Sequence, residues 1–412
     1  MVLGGGTGGT LAANRLRRDL GGDVGITVVD RDDDHLYQPG LLFVPFGLAR
    51  PQDLVRSRRA QLHEGIAYRT AGVERVELDA QRVLLSGGVT LPYDVLIVAT
   101  GARLLPEATE GLTGPGRRET VHTFYDLDGA VALERALSGF TGGRLVVNVV
   151  DMPIKCPVAP LEFCFLADWY FAERRIRDRV ELIYVTPLDA AFTKPVAART
   201  LSGMLADKHV ELVTEFNTGE VHGGTGGGQL VSYDGRQVPF DLAVVVPLHG
   251  GAAYVDRSPG LGDEFGFVTA DKHTLQSAAA PNVFVIGDAA AIPTSKAGSV
   301  THFEGEILTG NVARFLAGEP LDASFDGHTN CFIESGFGTA MLIDFNYDTE
   351  PLPGHYPAGI GLPLLAPSRL NHLGKLMFAW FYWHGLLPGR DIPGLGSPMP
   401  HAGKHIPAPT PP

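Results

Sequence analysis

Within its first ten residues the chain carries Gly4-Gly5-Gly6-Thr7-Gly8-Gly9, a G-x-G-x-x-G run that follows the apolar pair Val2-Leu3 and opens a helical stretch, Thr10 to Leu20. Strand, glycine turn and helix in that order begin a mononucleotide-binding unit, because glycines let the backbone approach a pyrophosphate at a helix N-terminus. Ile26-Thr27-Val28-Val29 predicts a second strand ending at Asp30, where a carboxylate can bind a ribose hydroxyl, with Arg31 beside it. Glycine runs also make plain turns. Here strand, helix and terminal acid are in register, which favours dinucleotide binding by Gly4, Gly6, Thr7, Gly9, Asp30 and Arg31.

A chain of 412 residues has room for two or three domains. With 44% apolar and 19% charged residues it reads as globular and not disordered. A net charge of −13 and the lack of a basic cluster argue against nucleic acid as a partner. Three cysteines are too few for a disulfide scaffold, so each is weighed as a chemical group; no metal site is assigned. The chain opens directly on a strand, so no signal peptide is expected, and no run of about 18 apolar residues predicts a membrane span. One local shift stands out. From Pro351 to Arg390 there is no Asp or Glu, and this segment contains the most aromatic run of the chain.

Between these landmarks, His35-Leu36-Tyr37-Gln38-Pro39-Gly40-Leu41-Leu42 is suited to packing on a planar ring, through Gln38 and Pro39, and equally to being an ordinary connection. Residues 73–98 alternate as hairpins do and run into Ala99-Thr100-Gly101, where small residues let the backbone pass close to a nucleotide. A second apolar run, Arg144 to Val150, looks like the first strand of another nucleotide unit, but the loop after it has no glycines. Asp151-Met152-Pro153-Ile154-Lys155-Cys156-Pro157 stands there instead. The next strand, Val180 to Val185, ends in Thr186-Pro187, with neither the acid for NAD nor an arginine for a 2′-phosphate. Nicotinamide binding in the usual mode is therefore not expected. Cys156 precedes a predicted helix, Pro160 to Arg177, and adjoins Lys155; a helix start and a cation lower a thiol's pKa. Cys164, two turns into that helix, reads as a core thiol.

GGGTGG near the start, the Ala-Thr-Gly at 99–101 and Val285-Ile286-Gly287-Asp288 together resemble the two-dinucleotide-domain flavoproteins. The resemblance implies an α/β chain with two Rossmann-like dinucleotide-binding domains in tandem, plus a C-terminal segment with an aromatic amphipathic helix. It implies FAD as cofactor, with Thr100, Gly101, Gly287 and Asp288 among its contacts. The expected boundaries are 1–102 and 271–320 for the FAD domain, 103–270 for the second unit, 321–395 for the C-terminal segment and 396–412 for a flexible tail. Thr294-Ser295-Lys296-Ala297-Gly298 precedes a predicted helix; Lys296 and Gly298 either face the flavin and stabilise its reduced ring or lie on a solvated face.

KCPVAPLE around Cys156, TSKAG at 294–298, the segment Asn330-Cys331-Phe332 and the aromatic run at 376–383 narrow the match: together they resemble sulfide:quinone oxidoreductases, relatives of the flavin subunit of sulfide-oxidising flavocytochromes. By that resemblance Cys156 and Cys331, 175 residues apart, form a redox pair at the flavin. Cys156 would carry the growing sulfur chain and Cys331 would be the thiolate that adds to the flavin ring. The chain departs from the pattern twice. A third cysteine and a histidine are missing near His122-Thr123-Phe124-Tyr125-Asp126, and a further histidine is missing at Phe192-Thr193-Lys194-Pro195. His122 and His302 are left as proton-transfer candidates, and each also suits a plain core or surface position.

Leu373 to Leu387, as a helix of 15 residues, would span about 22 Å, short of a hydrocarbon core of about 30 Å. Its aromatic residues and flanking cations suit a bilayer interface; an oligomer-facing core helix is the other reading, and a homo-oligomer stays open. The sequence thus predicts a peripheral membrane enzyme that passes electrons from sulfide to a quinone, with Phe332, Phe337, Phe378 and Phe381 lining the quinone pocket. A type II NADH:quinone reductase, a flavocytochrome-type dehydrogenase and a non-catalytic FAD-binding scaffold are the alternatives.

Overall fold

The computed structural model describes residues 1–358, 361–391 and 396–405. Two five-stranded parallel sheets organise it. In the first, the strands run Val283–Val285, Leu96–Val98, Val2–Leu3, Ile26–Asp30, Ile66–Thr70 across the sheet. In the second, the order is Val121–His122, Leu242–Val246, Gly143–Val149, Val180–Val185, Val210–Val213. Every strand of the second sheet falls in sequence between Val98 and Val283, neighbours in the first. The chain therefore leaves one nucleotide-type sheet, completes another and returns. The strands are Val-, Ile- and Leu-rich because both faces of a parallel sheet are covered. Residues 73–92 form an antiparallel meander, in keeping with their alternation.

Six α-helices are described: α1 (Thr7–Leu20), α2 (Leu127–Gly139), α3 (Ala159–Glu173), α4 (Pro195–Asp207), α5 (Gly298–Ala317) and α6 (Arg369–Phe381). Pro160 sits in the first turn of α3, where its missing N–H costs nothing. That helix ends at Glu173, four residues before the expected limit, because the chain turns at Arg175 with φ +58°. Its core side chains are apolar on every side: Phe163, Phe165 and Phe171 are fully buried, each stabilising by about 1.5–3 kcal/mol. The helix is wedged between the second sheet and a hairpin of Thr329–Gly336 with Thr339–Phe345, which carries Cys331. α6 packs on the other side of that hairpin, capped by Ser368 at Asn371.

Two expectations for the C-terminal region need correction. The aromatic helix does not run to Leu387: a π-helical turn, Tyr382–Leu386, follows α6, and Tyr382 and Trp383 are buried (1% and 6% exposed) against His35 and Tyr37. Trp380 alone of the two tryptophans points outward, at 65% exposure. The tail is also no free strand over residues 396–405. Glu306 accepts the Ser397 N–H (2.9 Å), Asp326 accepts the Met399 N–H (2.9 Å), and Lys404 Nζ lies 2.6 Å from Asp344 Oδ2. These acidic partners lie far away in sequence. Residues 392–395 and 406–412 of the expected segments lie outside the described ones.

Gly9 shows how tightly the glycine loop is drawn. A Cβ there would stand 1.8 Å from the Gly4 carbonyl oxygen, and at Gly4, which has φ +96°, one would stand 2.4 Å from the Ala99 oxygen. Backbone atoms cannot yield as side chains do. Gly9→Ala is expected to cost about 1–3 kcal/mol or more and to lower the melting temperature in a thermal scan; an unchanged Tm would contradict the close approach.

Candidate active site

The helix start at the glycine loop is built to receive an anion. Gly6 caps α1 without any side-chain hydrogen bond, no acidic residue lies in the first turn, and Thr10 N–H is the first to bond back, to Gly6 (3.0 Å). The N–H groups of Thr7, Gly8 and Gly9 are left for a ligand, with the positive end of the helix dipole behind them. Asp30 accepts the Gly5 N–H (2.6 Å) at the end of its strand, and Arg58 Nη1 lies 2.9 Å from its second oxygen. Arg31 turns outward and pairs with Asp32 (3.1 Å), so Arg58, not Arg31, is the cation beside Asp30. Gln38 and Pro39 lie exposed at the start of a 3₁₀ turn, while Tyr37 and Gly40 are buried. Thr100 shares a hydrogen bond with Tyr254 (3.3 Å), and Gly101 has φ +66°.

At the far end of the first sheet Gly287, at φ +71°, donates its N–H to Glu304 of α5 (2.6 Å), directly before Asp288. Burial pushes the Asp288 carboxyl up, and Lys296 and Lys155 oppose that. Lys296 is not the free cation expected. Its Nζ donates to the carbonyls of Asp288 (2.8 Å) and Ala290 (2.9 Å) and sits 4.2 Å above the Phe267 ring, so it holds the turn that presents Asp288. The charge bias toward the cleft comes instead from α5, which starts at Gly298 with no side-chain cap and no acid in its first turn.

Both redox candidates meet the segment 294–299. The Cys156 N–H donates to the Lys296 carbonyl (2.7 Å), and Lys155 pairs with Lys296 as an isolated parallel bridge. Ser299 Oγ, three residues on, donates to the carbonyl of Asn330 (2.5 Å), the residue before Cys331. The segment 294–299 thus meets the backbone at Cys156 and beside Cys331; both are free thiols, half-buried, and close enough for Cys331 to push the Cys156 thiol up. Cys156 adopts φ +45°, a left-handed conformation that a side chain pays for, as is common where geometry serves chemistry. Cys164 is buried at 1% exposure in the core cluster, away from this loop.

The electrostatics at Cys156 differ from the expectation of a lowered pKa. Burial first, then Cys331, pushes its thiol up to about 12; the cation that opposes this is Lys375 of α6, not the adjoining Lys155. Cys331 is likewise pushed up to about 12 by burial, against the effect of nearby Ser299. The sequence did not mark Lys375 or its partners. Its ammonium is ion-paired with Glu162 of α3 and donates to the Phe332 carbonyl (3.1 Å); burial brings it down to about 8. Glu162 also accepts the Glu334 N–H (2.7 Å), and the Glu334 carboxylate binds His372 Nδ1 (2.9 Å). Single charges set in apolar stretches, Glu162 in PLEFCF and Lys375 in LGKLMF, were the available signal, since such charges are kept only when paired.

Of the four residues expected to line a quinone pocket, three lie on α6 or against it. Phe332 packs at Gly374 of α6, whose added Cβ would meet its ring at 2.9 Å, and Phe378 and Phe381 lie 6.1 Å apart on the same helix. Phe337 stands apart at the exposed hairpin turn, φ +53°, under Lys208 at 4.9 Å. His302 is buried on α5 and meets Phe381 edge-on at 6.3 Å. His122 is buried at the second sheet and directed at the Glu119 carbonyl (3.1 Å).

Residues 1–150 match the pyridine nucleotide-disulphide oxidoreductase family. Two paired parallel sheets, the glycine cradle and Asp288 define a flavin-dependent oxidoreductase with FAD as cofactor. The chain is 27% identical over 395 residues to the mitochondrial sulfide:quinone oxidoreductase of Dictyostelium discoideum, covering 95% of this chain and 86% of that one. It is 27% identical to the mitochondrial sulfide:quinone oxidoreductase of Mus musculus, over 85% and 79% of the two chains. The crystal structure of the sulfide:quinone oxidoreductase from Aquifex aeolicus superposes with a TM-score of 0.78 at 19% identity, over 94% of this chain and 91% of that one. Over most of its length the chain is thus similar to sulfide:quinone oxidoreductases.

With both thiols lifted to about 12, alkylation of the reduced protein at Cys156 and Cys331 is expected to speed up about tenfold per pH unit from about pH 8 to 10, without a plateau. Mass-spectrometric mapping of iodoacetamide labelling checks it. A plateau near the usual thiol value of about 8.5 would contradict the buried electrostatics.

Proposed function

We propose that this flavoprotein oxidises sulfide through Cys156 and Cys331 and passes two electrons to a quinone at a membrane surface. The observation that supports it is the single segment, 294–299, that hydrogen-bonds Cys156 and the residue beside Cys331, with the two thiols close enough to interact. In their oxidised form the two thiols make a disulfide. Hydrosulfide attacks one sulfur, the old S–S bond breaks, a persulfide forms on Cys156 and Cys331 leaves as a thiolate. Sulfide loses two electrons overall, and the quinone gains two electrons and two protons. Bound FAD supplies the two-electron carrier between them. Gly4, Gly9, Gly101 and Gly287 give its backbone cradle, α1 its anion site, and Asp30 and Asp288 the acceptors for its hydroxyl groups.

Lys375 and Glu162 lie between the thiols and the aromatic residues of α6. A quinone against Phe332, Phe378 and Phe381 would find in Lys375 a buried ammonium able to give up a proton near neutral pH. The degenerate loop at 151–157 and the missing acid after Val185 speak against NADH as donor.

α6 carries an outward stripe of Leu370, Leu373, Leu376, Met377 and Trp380, all exposed at helical spacing, with Arg369 at its start and Arg390 beyond the π-helical turn that follows it. No helix among the described residues is long and apolar enough to cross a membrane. An apolar stripe flanked by cations, in a segment without acids from Pro351 to Arg390, fits the surface of a bilayer with anionic headgroups.

The decisive test is anaerobic addition of sulfide to the yellow protein, followed by a short-chain quinone. Flavin colour should bleach and return, while NADH should leave it unchanged. Cys156→Ser and Cys331→Ser should each bleach at least about a hundredfold more slowly, whereas Cys164→Ser should match the native rate; full-rate bleaching in both of the first two would refute the thiol mechanism. Lys375 is charged below its value of about 8 and loses its proton above it, so quinone-driven reoxidation should slow as pH rises through about 8. In Lys375→Met the rate should fall about a hundredfold and that pH dependence should vanish; a Met variant with the native pH profile would remove Lys375 from proton delivery.

A further inference from the structure

We infer that the π-helical turn after α6 couples the membrane-facing helix to the dinucleotide loop, so that seating α6 in lipid tightens the hold on FAD. This rests on the membrane reading above. The coupling starts at Tyr382, whose hydroxyl lies 2.7 Å from Thr7 Oγ1 and 2.7 Å from His35 Nε2. The protons along this chain have a forced order. His35 Nδ1 faces the Gly5 carbonyl (3.2 Å), which can only accept, so Nδ1 carries the hydrogen. Nε2 then accepts from Tyr382, and the Tyr382 oxygen accepts from Thr7. The His35 ring stays neutral in this sealed site, where burial pushes it down to about 4. Thr7 and Gly5 belong to the glycine loop itself.

The contact continues along one face of α1. Asn14 Nδ2 donates to the Leu387 carbonyl (2.7 Å), Arg15 Nη2 to Asp391 (2.8 Å), and Arg18 Nη1 lies 3.3 Å from the same carboxylate. Positions 7, 14, 15 and 18 share a helix face, so residues 382–391 lie along α1 for most of its length. Arg56 adds a guanidinium 4.3 Å over the Trp383 ring. The turn continues α6 without a break at Phe381, so a shift of the exposed stripe moves Tyr382 with it. A π-helical turn is an uncommon element, kept mostly where it positions a functional group. Linkage makes the coupling reciprocal: lipid that steadies Tyr382 slows loss of the cofactor, and the cofactor strengthens lipid binding by the same factor.

The test uses the FAD-loaded protein and vesicles of mixed phosphatidylcholine and phosphatidylglycerol. Co-sedimentation reports binding, and flavin recovered in the filtrate after dilution reports release. Vesicles should slow FAD release on the order of fivefold in the native protein. Tyr382→Phe keeps the ring packing and should still co-sediment, but its release rate should no longer respond to vesicles. Leu376→Ser with Trp380→Ser should lose co-sedimentation while releasing FAD in solution at the native rate. Native protein that co-sediments yet releases FAD at an unaltered rate would overturn the coupling and leave the membrane reading standing. Absence of co-sedimentation would overturn both, and a full vesicle effect in Tyr382→Phe would overturn the hydrogen-bonded route.

Discussion

The hydrogen bond from the Cys156 amide to the Lys296 carbonyl (2.7 Å) ties the two dinucleotide-type units together at the place where their chemistry meets. Lys155 and Cys156 lie in the loop that leaves a strand of the second sheet, and Lys296 in the segment that follows the last strand of the first. The left-handed turn at Cys156 sets the thiol at that junction, and Ser299 reaches the residue beside Cys331 from the same segment. In a nucleotide-binding unit glycines would occupy this loop to admit a pyrophosphate. Its replacement by a strained cysteine, bridged to the other unit, turns a cofactor-admitting turn into a fixed wall.

Buried charge explains why this wall holds its shape. Exposed pairs such as Arg144 with Glu181 contribute about 0–1 kcal/mol. Glu162 with Lys375 is different, because removing one partner of a buried pair costs about 3–5 kcal/mol, and Glu334 with His372 adds a hydrogen bond beside it. These two pairs link α3, the Cys331 hairpin and α6, through the Glu334 N–H and the Phe332 carbonyl. The same ammonium that opposes the upward push on Cys156 also fixes the aromatic helix. One set of side chains thus positions the two thiols and the aromatic helix.

Local pattern carried much of this into view. The glycine run, Asp30, the Ala-Thr-Gly and Gly287-Asp288 each sit at the end of a strand whose apolar run announces it, and sheet order follows from such units. The aromatic run at 376–383 misled in part, because composition cannot say which face of a helix turns inward. Tyr382 and Trp383 are inside and Trp380 is outside, since the turn after Phe381 is π-helical and not α-helical. Adjacency alone makes Lys296 a cation facing the flavin. Direction of the side chain decided otherwise, and it is set by carbonyls eight and six residues away.

By itself the sequence determined the two nucleotide-type units, the loss of glycines in the second, and the identity of the two thiols, because each is written in a short stretch whose local geometry is obligatory. The tertiary structure alone decided that Cys331 folds back to the loop that holds Cys156, that Lys375 reaches that thiol from α6, and that Tyr382 closes on the glycine loop. These contacts join residues 175 to 375 positions apart, where no local preference acts and only the packing of α3, α5 and the hairpin brings the groups together.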